Sequence, residues 1–475
     1  MNIELIEPNL KNFVKSLRDI GYTYEVAIAD IIDNSITANA KNIKIFTMTE
    51  PEMILSLSDD GDGMDKNELV EAMRIATKDP DDERGKKDLG RFGLGLKTAS
   101  FSQCTKLTVI SKKNGEINAR KWDLDYISKM NKWLLLTIDQ EEYEKIPIFN
   151  ELNNIDSGTI VYWENIDKYD KHTYSHEIYK LKEHLALVFH RFLDSKESPF
   201  DFIKIYLNND RIISFNPFNV ENTNTQEFSV ENIYYNGKKN SITPYILPHF
   251  SKLSQIEYEK YGTDEGYVKT QGFYLYREKR LLIYGTWWGL NKINEVHKMV
   301  RIKIDISNDQ DRFWGIDLKK STAKPIKEIK EQLKNIIKVA TEKGSRLYTG
   351  RGKKISEPST IRFWDLKRED NKIKFIINKA NPIYEKVLEK FEDKKLLEGY
   401  LKNLESFLPL DAILSEMLNN PKEIERSSDI TESELNIILQ NILSNKWNKE
   451  QVENLVKLEV FKNKEEIINE IKKQL

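Results

Sequence analysis

Residues 57–64 read LSDDGDGM, and they close an apolar run, MILSLS, that begins at 53. The run is short, apolar and followed by turn formers, so it predicts a strand that ends at Asp59. Gly61 and Gly63, spaced by one residue, let the backbone turn sharply and approach a flat ligand. Asp59, at the strand end, is placed to accept a hydrogen bond from an exocyclic amine such as that of adenine. An ordinary Asp-Gly turn uses the same letters. A calcium loop does not fit, because the twelfth position counted from Asp59 is Val70 and not a bidentate Glu.

Upstream lies EVAIADIIDNS at 25–35. On a helix, Asp30 and Asn34 stand at i and i+4 and share a face. A carboxylate and a carboxamide stacked in this way can hold a water and a divalent ion together, although two polar residues on a solvated face read the same. Downstream lies GRFGLGLKTAS at 90–100. Gly90, Gly93 and Gly95 precede a predicted helix that carries Lys97, and glycine-rich backbone before a helix N-terminus is an anion cradle. It is not a P-loop, since Leu96 and not Lys follows GRFGLG. It is not a dinucleotide fingerprint, since no strand ends directly before it.

The surroundings bound what these segments serve. The chain has 475 residues, enough for about three domains, with 39 % hydrophobic and 32 % charged residues. Lys and Arg number 74 and Asp and Glu 76, a net charge of −2, so any nucleic-acid contact must come from a local basic patch. The single cysteine, Cys104, can make neither an intrachain disulfide nor a four-cysteine zinc module, which points to a reducing, cytoplasmic setting. No run approaches the ~18 apolar residues of a membrane span, and the first residues lack the apolar core of a signal peptide.

Helices are expected near 9–20, 24–38, 66–77 and 93–102. Strands are expected at 42–48, 53–58, 105–112, 117–123, 131–138 and 158–164. They alternate without a regular βαβ repeat, which predicts an α+β sandwich and not a doubly wound sheet. The stretch 78–88, KDPDDERGKKD, is too charged and broken to pack. A connector helix is expected near 171–193. A second α+β block spans about 200–345, with a hairpin, GFYLYREKRLLIYG, whose turn falls between Arg277 and Arg280. Residues 361–377 read as extended. The last ~90 residues read as helical, with a capping box of Thr431 and Glu434.

Taken together and in order, the three glycine- and aspartate-bearing segments resemble the GHKL ATPase superfamily of gyrase, heat-shock chaperone, histidine kinase and MutL type. In that family a helix supplies a general base and a magnesium-binding Asn, a D-x-G-x-G turn binds adenine, and a G-x-x-G-x-G loop closes over the phosphates. The resemblance implies that ATP and Mg²⁺ are the cofactors. It implies that Asp59, Gly61, Gly63 and Met64 meet the adenine, and that Asn34 is the metal ligand. It further implies that Gly90, Arg91, Phe92, Gly93, Leu94, Gly95 and Lys97 form the phosphate lid. SGTIVYW at 157–163 resembles the strand whose threonine supports the adenine site, here Thr159. One departure matters: relatives that hydrolyse ATP carry Glu four residues before the Asn, and this chain carries Asp30, shorter by one methylene. Thr37 stands where relatives often place Asp. The six histidines begin at 172, which excludes the kinase branch with its early phospho-accepting histidine.

The second block, with VRIKIDISNDQDRFWGIDLKKS at 300–321, resembles the transducer domain of MORC-type and related bacterial ATPases. A transducer lysine then reaches the γ-phosphate, Lys320 or its neighbour Lys319, while Arg277 and Arg280 are structural or face DNA. The implied fold is a Bergerat-type α/β sandwich at 1–170, an α+β transducer domain of ribosomal-protein-like βαβ fold at 171–345, and a helical region at 346–475. The implied function is an ATP-gated clamp that forms a homodimer, acts on DNA in bacterial defence, restriction or repair, works with a nuclease or helicase subunit, and has no membrane partner. A nucleotide-gated binding module or chaperone with little hydrolysis is the alternative.

Overall fold

The computed structural model describes residues 4, 9–75, 89–90, 95–249, 252–263, 265–317, 319–349, 361–369, 372–410, 412–413, 453–454 and 457–458. Arg91, Phe92, Gly93 and Leu94, the stretch 78–88 and the Thr431–Glu434 capping box lie outside the described residues.

The chain opens with helices α1 (Leu10–Arg18) and α2 (Tyr24–Thr37), strands β1 (Asn42–Met48) and β2 (Ile54–Asp59), and helices α3 (Lys66–Met73) and α4 (Gly95–Gln103). Strands β3 (Cys104–Lys113) and β4 (Glu116–Asp123), helix α5 (Leu124–Met130), the short strand β5 (Leu136–Thr137) and helices α6 (Gln140–Tyr143) and α7 (Asn150–Asn153) follow. Strand β6 (Gly158–Ile166), helix α8 (Lys171–Val188) and strands β7 (Lys204–Leu207) and β8 (Asp210–Arg211) complete this part. The eight strands form one sheet in the order β5-β4-β3-β6-β2-β1-β7-β8, antiparallel except where β7 joins β1. The fold is therefore the mixed α+β sandwich that the segment order predicted.

Burial follows sheet position. Central β2 is buried at every residue, while β1 alternates buried and half-buried positions along NIKIFTM. Helix α2 buries nine of its fourteen residues, Asp30 and Asp33 among them. A helix apolar nearly all round must be covered on more than one side, and it packs against both α4 and α8. Helix α3 starts in a capping box in which Asp65 accepts from the Glu68 amide and the Glu68 carboxylate accepts from the Asp65 amide.

Two sequence expectations change here. The strand expected at 131–138 is mostly loop: α5 ends at Asn131 in the left-handed region, and only Leu136–Thr137 pairs, with β4. The strand in DFIKIYL, assigned to the second block, is β7 and extends the first sheet.

The second sheet holds β9 (Gln226–Glu227), β10 (Glu231–Tyr235), β11 (Lys238–Ile246), β12 (Gly272–Arg277), β13 (Arg280–Thr286) and β14 (Val300–Ile306), ordered β10-β11-β14-β12-β13 with β9 on β11. Helices α9 (Gln255–Gly262), α10 (Gly266–Lys269) and α11 (Asp311–Trp314) lie between and after its strands, and α12 (Lys327–Thr349) follows. Ile329, Leu333, Ile336, Ile337 and Ala340 of α12 bury one helical stripe in a core with Phe273, Leu275, Ile302, Ile304 and Trp314. The hairpin turn falls between Arg277 and Arg280, as its sequence predicted.

By compactness the chain divides into Met1–Pro248 with Glu259–Gly344, and His249–Tyr258 with Ser345–Leu475. The first unit contains both large sheets. The second contains the hairpin β15 (Trp364–Glu369) and β16 (Lys372–Ile377) with helices α13 (Pro382–Lys390) and α14 (Lys394–Ser406). Pro382 and the Asn381 cap start α13, and the Glu405 carboxylate accepts from the Ile377 amide at 2.8 Å.

Candidate active site

The strand β2 ends in the first sheet's middle, and its last residue is almost fully buried: Asp59 is 5 % exposed. Its Oδ2 accepts from Ser35 Oγ at 2.7 Å and its Oδ1 from the Gly61 amide at 3.0 Å. Ser35 lies on α2, so the strand end and the helix are tied directly. Asp59 faces Thr159 in the β2–β6 register, and Thr159 Oγ1 lies 2.9 Å from Ser111 Oγ on β3. Ser111 Oγ in turn accepts from the Met64 amide at 2.8 Å. Asp59, Met64 and Thr159 thus belong to one small polar network.

The glycines in the turn answer to close backbone approaches. Gly63 has φ +66°, and a Cβ there would sit 2.0 Å from the Lys112 carbonyl oxygen. A Cβ at Gly61 would sit 2.7 Å from the Ala38 carbonyl oxygen, just past the end of α2. Burial pushes the Asp59 carboxyl up to about 6, against the lowering effect of its Ser35 and Gly61 hydrogen bonds.

On α2, Asp30 is joined by a second carboxylate that the sequence reading passed over, Asp33. The two share one cation. Lys320 Nζ donates to Asp30 Oδ1 at 2.9 Å and to Asp33 Oδ2 at 2.7 Å. Tyr22 donates its hydroxyl to Asp30 Oδ2 at 2.9 Å, and Arg280 Nε donates to Asp33 Oδ1 at 3.0 Å. All four carboxylate oxygens are therefore engaged. The neighbouring lysine makes a different contact: Lys319 Nζ donates to the Gly21 carbonyl at 3.2 Å.

Lys320 takes φ +55°, an uncommon conformation for a side chain with a Cβ. It is held there by Asp317. The Asp317 carbonyl accepts from the Lys320 amide, and the Asp317 carboxylate accepts from the amides of Ser321 and Thr322. Burial by itself raises the Asp30 carboxyl, and it stays raised although Lys320 opposes that. Burial would raise Asp33 too, but Lys320 and Arg280 outweigh it and hold Asp33 below the usual carboxylate range. Lys320 stays charged: burial works against its ammonium, and the two aspartates more than offset that.

Of the described parts of the glycine segment, Gly95 comes nearest to this cluster. Gly95 opens α4, and a Cβ on it would lie 3.7 Å from Asp30 Oδ2. Lys97 is buried and donates to the Ala72 carbonyl at 2.9 Å. Gly90 follows Leu89, whose amide is 3.3 Å from Thr37 Oγ1. Asn34 is exposed, one turn beyond Asp30. Its amide oxygen is open to a hydrated cation, and Mg²⁺ commonly takes one or two protein oxygens and completes its shell with water and phosphate. No cluster of three His, Cys, Asp or Glu exists among the described residues to hold a metal alone. The donor set fits Mg²⁺ carried in with a triphosphate.

Arg277 and Arg280 are both buried, 1 % and 5 % exposed, which excludes the DNA-facing reading and leaves the structural one. His190 is buried and His184 half-buried, and desolvation pulls both imidazoles down to about 3. Tyr22, Ser35, Asp33 and Arg280 carried no motif signal. Only the Arg277–Arg280 hairpin turn hinted at a role.

These features define a nucleotide-binding ATPase fold, and residues 22–159 match the family model described as "Histidine kinase-, DNA gyrase B-, and HSP90-like ATPase". That part of the chain is a GHKL ATPase domain. The chain is also similar to ATPase morc-1 of Caenorhabditis elegans, with 33 % identity over 109 residues, 23 % of this chain and 12 % of that protein. The chain thus matches only a small part of that relative's length. No helix among the described residues is long and apolar enough to cross a membrane.

Proposed function

We propose that the chain is a MORC-like ATPase that binds ATP with Mg²⁺, hydrolyses it slowly, and works as an ATP-gated, dimerising clamp on DNA in a bacterial defence, restriction or repair system, together with a nuclease or helicase subunit. The observation that carries the reading is the seating of Lys320, from beyond the second sheet, on Asp30 of the nucleotide domain.

In this reading Asp59 accepts the adenine amine, while Gly61, Gly63, Met64 and Thr159 shape the slot around the ring. The segment from Gly90 through Arg91, Phe92, Gly93, Leu94 and Gly95 to Lys97 cradles the phosphates, with Lys97 exchanging the Ala72 carbonyl for an anion. Asn34 would hold Mg²⁺ on the protein side, and the ion would supply neutralisation of phosphate charge when bound. Asp30 orients and deprotonates the attacking water, and its burial, which favours the protonated acid, makes it a stronger base than an exposed aspartate. Lys320 leaves the two aspartates for the γ-phosphate, where charge grows in the transition state. Its departure frees Asp30 Oδ1 for the water. Catalysis and inter-domain coupling are then one movement of one side chain.

The DNA, dimer and defence parts of the reading rest on kinship with MORC-type proteins. The alternative, a nucleotide-gated module with little turnover, is favoured by the short Asp30 side chain and by its engagement with Lys320. Phosphate release measured for the parent, Asn34→Ala and Asp30→Ala separates the two: turnover in the parent alone supports the enzyme, and binding with no turnover in any supports the module. Light scattering with a non-hydrolysable ATP analogue and Mg²⁺ tests the clamp, and an unchanged mass and shape at saturation would remove it. Salt-sensitive retention of DNA that requires ATP tests the DNA role.

A further inference from the structure

The hairpin β12–β13 reaches the nucleotide domain at a second place, separate from Lys320. Its turn residues, Glu278 and Lys279, have φ of 47° and 70°. Such a turn between two non-glycine residues persists where its surroundings hold it. Here Glu278 accepts from the Asn308 amide, and Lys279 donates to Asp201 at 2.6 Å. The turn therefore presents Arg277 from a fixed base.

Arg277 is 1 % exposed and forks onto Asp311, with Nε 2.6 Å from Oδ1 and Nη2 2.9 Å from Oδ2. That two-pronged pair fixes the plane of the guanidinium. Its remaining arm, Nη1, donates to the carbonyl oxygen of Leu89 at 3.0 Å. Leu89 is thereby held at three points. Its side chain is buried in the core of the first sheet, its amide faces Thr37 Oγ1 at the end of α2, and its carbonyl is taken by the second sheet's hairpin. Thr37 itself donates to the Asp33 carbonyl at 2.8 Å. The residue after Leu89 is Gly90, the first of the glycine segment.

We propose that Arg277, clamped by Asp311, is a positioning residue for the phosphate end of the nucleotide site: from the second sheet it fixes the Leu89 carbonyl, and so the direction in which the chain enters Gly90. The inference rests on the nucleotide reading above. A lysine at 277 keeps a charge for Asp311, but a single ammonium cannot span both Asp311 oxygens and the Leu89 carbonyl in one plane. The adenine end, built on Asp59, is untouched by that change.

The test compares ATP with AMP, because only the longer phosphate chain depends on the glycine segment. Fluorescent analogues of both are titrated into the parent, Arg277→Lys and Asp311→Asn, and thermal melting is recorded for each. Arg277→Lys should lose about tenfold in ATP affinity, the worth of one charge-assisted hydrogen bond, with AMP affinity unchanged. Asp311→Asn, which leaves Arg277 in place and loosens its clamp, should show the same selective loss, and it serves if Arg277→Lys does not fold. Equal losses for ATP and AMP, or no loss for either, would overturn the proposal and leave Arg277 a fold-stabilising ion pair. A parent that binds neither nucleotide would overturn the nucleotide reading itself, and this inference with it.

Discussion

Lys320 and Asp30 stand 290 residues apart in the chain, yet the lysine's Nζ donates to the aspartate's Oδ1 at 2.9 Å. The same ammonium also serves Asp33, so its removal leaves two buried carboxylates with one fewer cation. Lys320→Ala should lower kcat by ~10²–10³, the usual loss for a group that meets developing charge. Nucleotide affinity should fall far less. Lys319→Ala, which removes only a contact to the Gly21 carbonyl, should match the parent. Phosphate release and nucleotide titration on the same preparations decide this. A Lys319→Ala variant as slow as Lys320→Ala would transfer the role to the neighbour.

Asp30→Ala should bind ATP and fail to turn it over. General-base catalysis is worth ~10²–10⁴ in rate, and Asp30 is the raised carboxylate of the pair on α2. Single-turnover measurements with prebound ATP isolate the chemical step. A rate like the parent's would place the base elsewhere.

The outline of this site was legible because its motifs are local. Asp59, Gly61 and Gly63 lie within five residues of each other, and Asp30 and Asn34 are one helical turn apart. The hairpin turn at Arg277–Arg280 was legible for the same reason. Asp33 was not, because an aspartate in a helix reads as a solvated charge, and only Arg280 and Lys320 make it a buried one. Those partners lie 247 and 287 residues away. β7 was misplaced on similar grounds: its alternating pattern announces a strand and is silent on which sheet receives it.

Nucleotide affinity should depend on pH through Asp59. Only the ionised carboxylate is a full acceptor for the adenine amine, and burial raises its pKa to about 6. Affinity should be complete well above that value and decline as pH falls through it, approaching tenfold per pH unit below. Asp59→Asn should bind ATP about tenfold to a hundredfold more weakly, the worth of a buried charge-assisted bond of ~1.5–3 kcal/mol, and should lose this pH dependence. Calorimetric titration at several pH values reads both effects. A pH profile unchanged by Asp59→Asn would assign the titration to another group.

Gly63→Ala and Gly115→Ala make an internal comparison. Both glycines have positive φ, +66° and +83°, so each substitution carries the left-handed penalty of about 1 kcal/mol. At Gly115 nothing lies within 4 Å of the new methyl, whereas at Gly63 it would lie 2.0 Å from the Lys112 carbonyl oxygen. Gly63→Ala should therefore lower the melting temperature by several degrees more than Gly115→Ala, and weaken ATP binding as the turn shifts. Equal melting temperatures would mean that the turn relaxes freely.

The pair Asp33–Arg280 should behave as a buried ion pair whose parts fail separately. Asp33 is 1 % exposed and Arg280 is 5 % exposed, and Arg280 also lies 4.3 Å over the Phe189 ring. Asp33→Asn leaves Arg280 and Lys320 facing a neutral amide, at a cost of ~3–5 kcal/mol in urea unfolding. Arg280→Met, which keeps much of the packing, should cost a similar amount because it strands part of the Asp33 charge. The double variant should cost less than the sum, by ~1–3 kcal/mol, since neither charge is then left unmatched. The sign of the pH effect follows from Asp33 being held below its ordinary value by Lys320 and Arg280 against its burial. Its contribution is fully present above the unfolded carboxyl pKa of about 4 and is lost as pH falls through the lower folded value. Asp33→Asn should therefore flatten the acid limb of the stability curve. Strict additivity in the double variant, with an acid limb like the parent's, would show that Asp33 and Arg280 contribute independently and that Lys320 alone sets the charge balance on α2.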